Sequence, residues 1–315
     1  MIGSWIQIIK NQSLYIMNNI NIILVADKNV EVGVHVTLFS LLNKSSYESH
    51  TIYVITTKEN GISENRLKKS LIKFDNKCNY HVIQFDDSIF STFKGLHGNT
   101  FIYSKLALAE LIKVSYALYL DVDVILNIDI REMNQYFELL PQYLIMANVE
   151  TSKHNSIEKE LFKNILKQND ESYYNTGVML VNLDLWRKKN VFSSFLSFTK
   201  EFHLFCSTAD QTVFNAVIEN NLIYNLPKEF NFRVEYNTVR EKLKNKAIFH
   251  FYGRPKHWDL LAEFVHPQFY IFKEHIKETD FKSYKSYKNI SIKSIRKLIK
   301  TYKSYLKVIF YGAKS

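Results

Sequence analysis

The sequence predicts an α/β protein, a mostly parallel central sheet flanked by helices on both faces. Three observations carry that reading. Short apolar runs alternate with helically spaced apolar residues. The runs end in polar turns, where ligands of such sheets sit. No internal repeat and no Pro/Gly/Ser-rich linker interrupts the chain before about residue 271, so one body domain over residues 17–270 is the simplest account.

Taken in order, Ile20 to Ala26 is an apolar run closed by Asp27-Lys28-Asn29, and Val34, Leu38, Leu41 and Leu42 then recur at helical spacing. This is a strand, a turn and a helix. Thr51 to Thr56 predicts a second strand, Ser63 to Ile72 a second helix, and Tyr80 to Phe85 a third strand. A helix is expected over Tyr103 to Lys113, then a strand from Ala117 to Leu120. Beyond it the pattern predicts a strand over Gln142 to Ala147, a helix over Ile157 to Leu166, and a buried strand after a turn at Asn175-Thr176-Gly177. Helices follow at Leu183 and at Asp210, and a last strand spans Ala247 to Phe251.

With 315 residues and 46% hydrophobic content the chain buries a sizeable core, and 8 Gly and 4 Pro argue against low complexity. Cys78 and Cys206 show neither metal-ligand spacing nor a disulfide framework, which makes a reducing interior the default compartment. Residues 1–16 form an N-terminal extension whose apolar stretch is stopped by Lys10-Asn11-Gln12, too short for a membrane span and without a small-residue cleavage site. Met17 directly precedes the first strand, as it would if the start had been placed too early.

The formal charge of +10 is concentrated at one end. Residues 271–315 carry 12 Lys or Arg against three acids, and the rest of the chain 29 against 28. In that tail Ile292, Ile295, Leu298, Ile299, Tyr302, Leu306 and Ile309 recur at helical intervals, with Lys293, Arg296, Lys297, Lys300, Lys303 and Lys307 between them. A basic amphipathic helix of this kind reads as a membrane-associating tail on an anionic surface. RNA binding competes with that reading, but the near-neutral body points to no nucleic-acid partner.

The chemistry centres on Tyr119-Leu120-Asp121-Val122-Asp123. On an extended segment residues i and i+2 share a side, so Asp121 and Asp123 converge while Val122 turns toward apolar surroundings. Two anions so close need a cation between them, and oxygen ligands suit Mg²⁺, Ca²⁺ or Mn²⁺. His250, at a later strand end, is a candidate third ligand that shifts the preference toward Mn²⁺, with Mg²⁺ as the alternative. Gly253 and Lys256 in the following loop suit a phosphate. Asp210 heads a helical turn, where a carboxylate commonly caps.

These blocks, Asp-x-Asp after an apolar strand, Asn175-Thr176-Gly177-Val178-Met179-Leu180-Val181-Asn182 leading to Trp186-Arg187, the Asp210-Gln211 pair, and His250-Phe251-x-Gly253-x-x-Lys256-x-Trp258, resemble in this order the family 8 retaining glycosyltransferases. That family includes bacterial lipooligosaccharide galactosyl- and glucosyltransferases and the glycogenins. The resemblance covers roughly residues 20–260. It implies a GT-A fold, a Mn²⁺ held by Asp121, Asp123 and His250, and a UDP-glucose or UDP-galactose donor. It also implies that Ala26, Asp27 and Asn29 meet the nucleoside, that the Asp121-Val122-Asp123 run, Lys105, Asn175 and Thr176 line the donor, and that Gly253 and Lys256 hold the diphosphate. Asp210 and Gln211 match the pair that bonds the transferred hexose, and Glu150 lies near an acceptor-side acid. An amide at Gln211 is a poor nucleophile, so the resemblance favours same-face substitution with retention. Two departures stand out, His257 where a Pro is usual and Thr176 where Ala or Ser is common.

The expected function is hexose transfer to a glycan or glycolipid acceptor, such as a lipopolysaccharide, by an enzyme peripheral on the cytoplasmic face of a bacterial membrane. A glycogenin-like self-glucosylating enzyme and a non-catalytic membrane-docking protein are the alternatives. Trp186 and Leu183 are expected in the core, and the Phe192, Phe195, Phe198, Phe202, Phe205 series in the core or an acceptor-cleft wall.

Overall fold

The computed structural model describes residues 18–300, apart from residues 97, 289, 293 and 297. The extension at 1–16 and the part of the expected tail helix beyond residue 300 lie outside the described residues.

Aliphatic runs lay down the sheet. β1 (Asn19–Val25), β2 (Ser49–Thr57) and β3 (Cys78–Phe85) pair in parallel through α1 (Glu31–Lys44) and α2 (Glu64–Leu71). β4 (Tyr116–Leu120) lies parallel to β1 on its other side. Next to it runs β7 (Ser172–Asn182), antiparallel to β4 and to β6 (Ile145–Ser152), and the parallel edge strand β8 (Ile223–Asn225) completes the order β3-β2-β1-β4-β7-β6-β8. A second sheet of three short strands has β10 (Ile248–Phe251) between β5 (Val124–Leu126) and β9 (Phe232–Val234).

The period of two decides which residues face which layer. Ile22, Leu24, Leu118 and Leu120 pack on Leu38, Leu41 and Leu42 of α1. Ile23, Ala117 and Tyr119 point the other way, onto Leu106, Trp186 and Phe214. That second layer holds α3 (Leu183–Lys188), α4 (Val191–Phe202) and α5 (Asp210–Val217). Trp186 is fully buried and its indole N–H donates to Leu144 O at 3.0 Å, so the Trp block is core. Phe195 packs against Trp186 and Phe214 in that core, while Phe192, Phe198 and Phe202 are half-buried and Phe205 is exposed.

Several elements differ from expectation. The helix expected over 103–113 is a 3₁₀ segment, Phe101–Ala107, followed by one α turn, Leu108–Leu111. Nearly every side chain there is buried, and the tighter winding carries Lys105 inward. The helix expected over 157–166 is reduced to a π turn, Leu161–Ile165. Just before it, the buried Glu158 accepts from the Thr208 and Thr212 hydroxyls. β6 starts and ends later than expected because Leu140–Gln142 wind as a 3₁₀ turn.

The packed body also runs past the expected boundary at residue 270. α6 (Phe269–Ile276) lies on α1, and Phe272, Ile276 and Phe281 join Trp258 and Phe251 in a third apolar cluster. Apolar side chains at a helical period on the first half of the tail are spent on this packing.

Candidate functional site

The Asp pair is held by backbone and by α1. Asp121 N–H donates to Gly177 O at 2.7 Å, extending the β4–β7 ladder by one rung. The Thr37 hydroxyl lies 3.1 Å from Val122 O and 2.8 Å from Val124 O, and Ser40 Oγ accepts from Leu126 N–H at 3.0 Å. The Val122 side chain packs on the apolar clusters at either side of α1, as its inward position predicts. A Cβ at Gly33 would stand 2.5 Å from Val122 O, so a residue without a side chain lets α1 approach this turn. β5 then pairs His250 with Val124, and Phe251 N–H donates to Asp123 O at 3.0 Å.

Those connections converge Asp121, Asp123 and His250, whose ligand atoms all lie within 4.8 Å of one another. His250 Nε2 is 3.2 Å from Asp123 Oδ1 and 4.0 Å from Asp121 Oδ2. Gly177 makes the room, since a Cβ there would meet His250 Cε1 at 2.1 Å. The chemistry of the set, two carboxylates and an imidazole opening to solvent on the Asp121 side, fits a divalent cation of the Mn²⁺ or Mg²⁺ type.

Two lysines balance the acids. Lys105 Nζ lies 2.7 Å from Asp210 Oδ2 and 3.2 Å from Asp121 Oδ1, and its side chain is only 3% exposed. Burial alone would pull this ammonium down, but Asp121 and Asp210 override it and raise it. Burial, with Asp121 nearby, pushes the Asp210 carboxyl up even against Lys105. Lys256 forms an ion pair with Asp123 and donates to Phe251 O at 2.7 Å. Burial would raise Asp123, yet the Lys256 ammonium holds it well below the usual carboxylate range. The Tyr119 hydroxyl donates to Asp121 Oδ1 at 2.7 Å.

Asp210 does not cap its helix. Ala209, at φ +52°, occupies the N-cap position of α5, and the Asp210 carboxylate is taken by Lys105 and the Thr176 hydroxyl. Next to it Gln211 Oε1 accepts from Asn175 Nδ2 at 2.9 Å and from Thr176 N–H at 3.3 Å, while Gln211 Nε2 donates to Glu150 Oε2 at 3.1 Å. Glu150 falls in a bulge of β6, the extra residue between Val149 and Thr151 opposite Tyr174 and Tyr173, and such a bulge re-aims its side chain. Arg233 Nη1 donates to the other Glu150 oxygen at 3.0 Å and its guanidinium lies 4.8 Å from the Tyr252 ring centroid.

Of the residues singled out from the sequence, Lys105, Asp121, Asp123, Asn175, Thr176, Asp210, Gln211, His250 and Lys256 form this one connected cluster. Ala26, Asp27 and Asn29 follow β1, the strand paired in parallel with β4 beside the Asp pair, and Asp27 accepts from Asn29 N–H and from both the Asn29 and Asn99 amides. Gly253 is exposed at φ +69°, a conformation that suits glycine. His257 is buried and stacked on Phe272 at 4.9 Å, which explains how the loop dispenses with a proline there. A cavity of about 620 Å³ lined by Phe39, Lys44, Phe249 and Ile271 shares none of these residues.

Among known families, the sequence model of glycosyl transferase family 8 matches residues 21–262. The chain belongs to glycosyltransferase family 8. A putative glycosyltransferase of Haemophilus influenzae is 24% identical over 250 residues, 76% of this chain and 72% of its own. General stress protein A of Bacillus subtilis is 24% identical over 261 residues, 76% of this chain and 87% of its own. Among solved structures, the galactosyltransferase LgtC in complex with donor and acceptor sugar analogs superposes with a TM-score of 0.67 at 21% identity, covering 82% of this chain and 96% of that one. The bifunctional glycosyltransferase WbbM gives 0.64 at 17% identity over 84% of this chain and 50% of its own. The family 8 glycosyltransferase described here thus has the GT-A fold.

Sequence reasoning missed Tyr119, Asn231 and Arg233 as members of this cluster, and Asn99 as a partner of Asp27. Tyr119 was within reach of it, since it lies two residues before Asp121 on the same side of a strand. Asn231 and Arg233 are brought in by the β9–β10 pairing, for which no local pattern exists.

Proposed function

We propose that the protein transfers a hexose from UDP-glucose or UDP-galactose to a glycan or glycolipid acceptor with retention of configuration. The observation that carries this is the convergence of Asp121, Asp123 and His250 beside Lys105, Asp210 and Gln211. Asp121, Asp123 and His250 would hold Mn²⁺, which supplies Lewis-acid neutralisation of a departing diphosphate. Lys256 and Gly253 lie on the loop that would hold the same diphosphate, and Ala26, Asp27 and Asn29 would receive the nucleoside.

Both groups that would face the sugar are already committed to partners. The Gln211 amide is engaged at its oxygen by Asn175 and Thr176 and at its nitrogen by Glu150, so it orients the hexose rather than attacks it. Asp210 is buried against Lys105. Same-face substitution follows from this: the bond from the anomeric carbon to the diphosphate oxygen breaks, the acceptor oxygen bonds on the same face, and its proton passes to the departing phosphate.

The basic C-terminal segment is proposed to dock on the cytoplasmic face of an anionic membrane. Ile290 and Ile292 are exposed, as are Lys285, Lys288 and Arg296 in the same segment of chain, and Tyr287 abuts Phe264, itself 71% exposed. No helix among the described residues is long and apolar enough to cross a membrane.

The test is UDP release across a panel of UDP-sugars with and without Mn²⁺. Release is expected with a UDP-hexose, only with the metal, and not from Asp123→Ala. Unchanged turnover in that variant would remove the metal assignment. Silence with every donor would favour a docking protein, and glucose added to one of the chain's own tyrosines in an intact mass would favour self-glucosylation.

A further inference from the structure

We propose that Asn231 sets the ring tautomer of His250 and, through Asn175, ties this ligand to Gln211, an inference that rests on the metal site proposed above. Several groups around Asn175 have a fixed hydrogen-bonding sense. A backbone N–H only donates. Gly177 N–H lies 2.9 Å from one side-chain atom of Asn175, which must therefore be its carbonyl oxygen. The Asn175 NH₂ then faces Gln211 Oε1, and that orientation is fixed independently, because Thr176 N–H points at the same oxygen and the accept-only Glu150 carboxylate takes Gln211 Nε2.

With Asn175 Oδ1 an acceptor, the Asn231 atom 2.7 Å away has to be the amide nitrogen. Its oxygen is left facing His250 Nδ1 at 2.9 Å, which requires the proton on Nδ1. Nε2 then turns its lone pair toward Asp121 and Asp123. Reversing Asn231 would set oxygen against oxygen at Asn175. Reversing Asn175 as well would set its NH₂ against Gly177 N–H. Asn175, Asn231 and His250 are all buried, so no water repairs either mismatch.

The backbone keeps Asn231 in place. It ends the 3₁₀ turn Lys228–Asn231, and the next residue begins β9, whose Phe232 and Arg233 pair with Phe249 and His250. Asn231 is thus a positioning residue, the partner that presents a bare imidazole nitrogen to a cation. Partners of this kind are worth about 10- to 100-fold in metal affinity.

The test reads the tautomer and the metal separately. NMR of the ring nitrogens in histidine-labelled, metal-free protein, at a pH above the ordinary imidazole range, is expected to show His250 protonated on Nδ1. Asn231→Leu is expected to lose that preference and to bind Mn²⁺ about 10- to 100-fold more weakly in a titration followed by EPR. Asn231→Asp, which keeps an acceptor for Nδ1–H but sets its second carboxylate oxygen against Asn175 Oδ1, is expected to keep the tautomer. A wild-type ring protonated on Nε2, or an Asn231→Leu protein with unchanged tautomer and affinity, would overturn the assignment. Should Asn231→Leu fail to fold, the wild-type spectrum and Asn231→Asp still decide it. A wild-type protein with the Nδ1 tautomer that binds no Mn²⁺ supports the tautomer and overturns the metal site instead.

Discussion

At the scale of single residues, the site depends on one missing methyl group. Gly177 has ordinary backbone angles, so an alanine there would suffer no backbone strain and its cost is purely the collision with the His250 ring. The ring has nowhere to retreat, with Asn231 bonded to Nδ1 and Tyr252 packed edge-on at 4.2 Å. Gly177→Ala is expected to fold with a loss of about 1–3 kcal/mol from overpacking. It is also expected to lower Mn²⁺-dependent UDP release by about 100-fold or more, since near this chemistry a 1 Å displacement is costly. Denaturant unfolding and the UDP-release assay measure the two effects on the same sample. An alanine variant with wild-type turnover would show that the His250 position does not matter.

At the scale of elements, the aspartate turn hangs from α1 by the Thr37 hydroxyl. Thr37→Val keeps the shape and removes the donor, leaving two buried carbonyls without it. A stability loss of about 1–3 kcal/mol is expected, together with reduced turnover at unchanged helix content by circular dichroism. A fall in stability alone would mean that β5 and the turn are held by strand pairing without Thr37. The contrast with sequence reasoning is clearest at this scale. β1, β2 and β4 were legible because each is a buried aliphatic run with polar punctuation, β7 only in its second half because Asn175–Gly177, expected as a turn, lie inside the strand, and Asp121 and Asp123 were legible because carboxylates interrupt such a run. Glu150 enters by a bulge and Lys105 by a 3₁₀ winding, irregularities that tertiary packing decides and that leave no period to read. The Asn175–Asn231–His250 chain depends on β9 and β10 meeting across the fold, which local pattern does not encode.

At the scale of the whole molecule, the C-terminal segment divides into a packed half and an exposed one. Asp280 accepts from Arg66 at 2.8 Å, the Arg66 guanidinium lies 3.6 Å from the Phe281 ring centroid, and the Tyr284 hydroxyl donates to Trp258 O at 2.8 Å. Removal of residues 289–315 is therefore expected to leave the fold intact and to abolish co-sedimentation with anionic vesicles. Removal from residue 271 is expected to leave no soluble protein, because burial of Phe272 and Phe281 is each worth about 3–5 kcal/mol. The same flank makes the fold acid-sensitive. Burial, then Arg66, lowers His35 from 6.5 to about 3, with Asp280 opposing. Burial, then Lys256, lowers His266 to about 4, with Asp259 opposing. Burial, His266 and Lys256 likewise hold His257 well below the ordinary imidazole value. Below pH 6.5 the unfolded chain takes up protons that these folded imidazoles refuse, so the unfolded state binds more protons and stability falls as pH falls. Each ring contributes about 1.4 kcal/mol per pH unit once well inside that window. Denaturation midpoints are expected to drop steeply between neutral and mildly acidic pH, and His266→Phe, which keeps a ring against His257, is expected to flatten the slope by one imidazole. A pH-independent midpoint over that range, or an unchanged slope in the phenylalanine variant, would show that His266 charges without opening this flank.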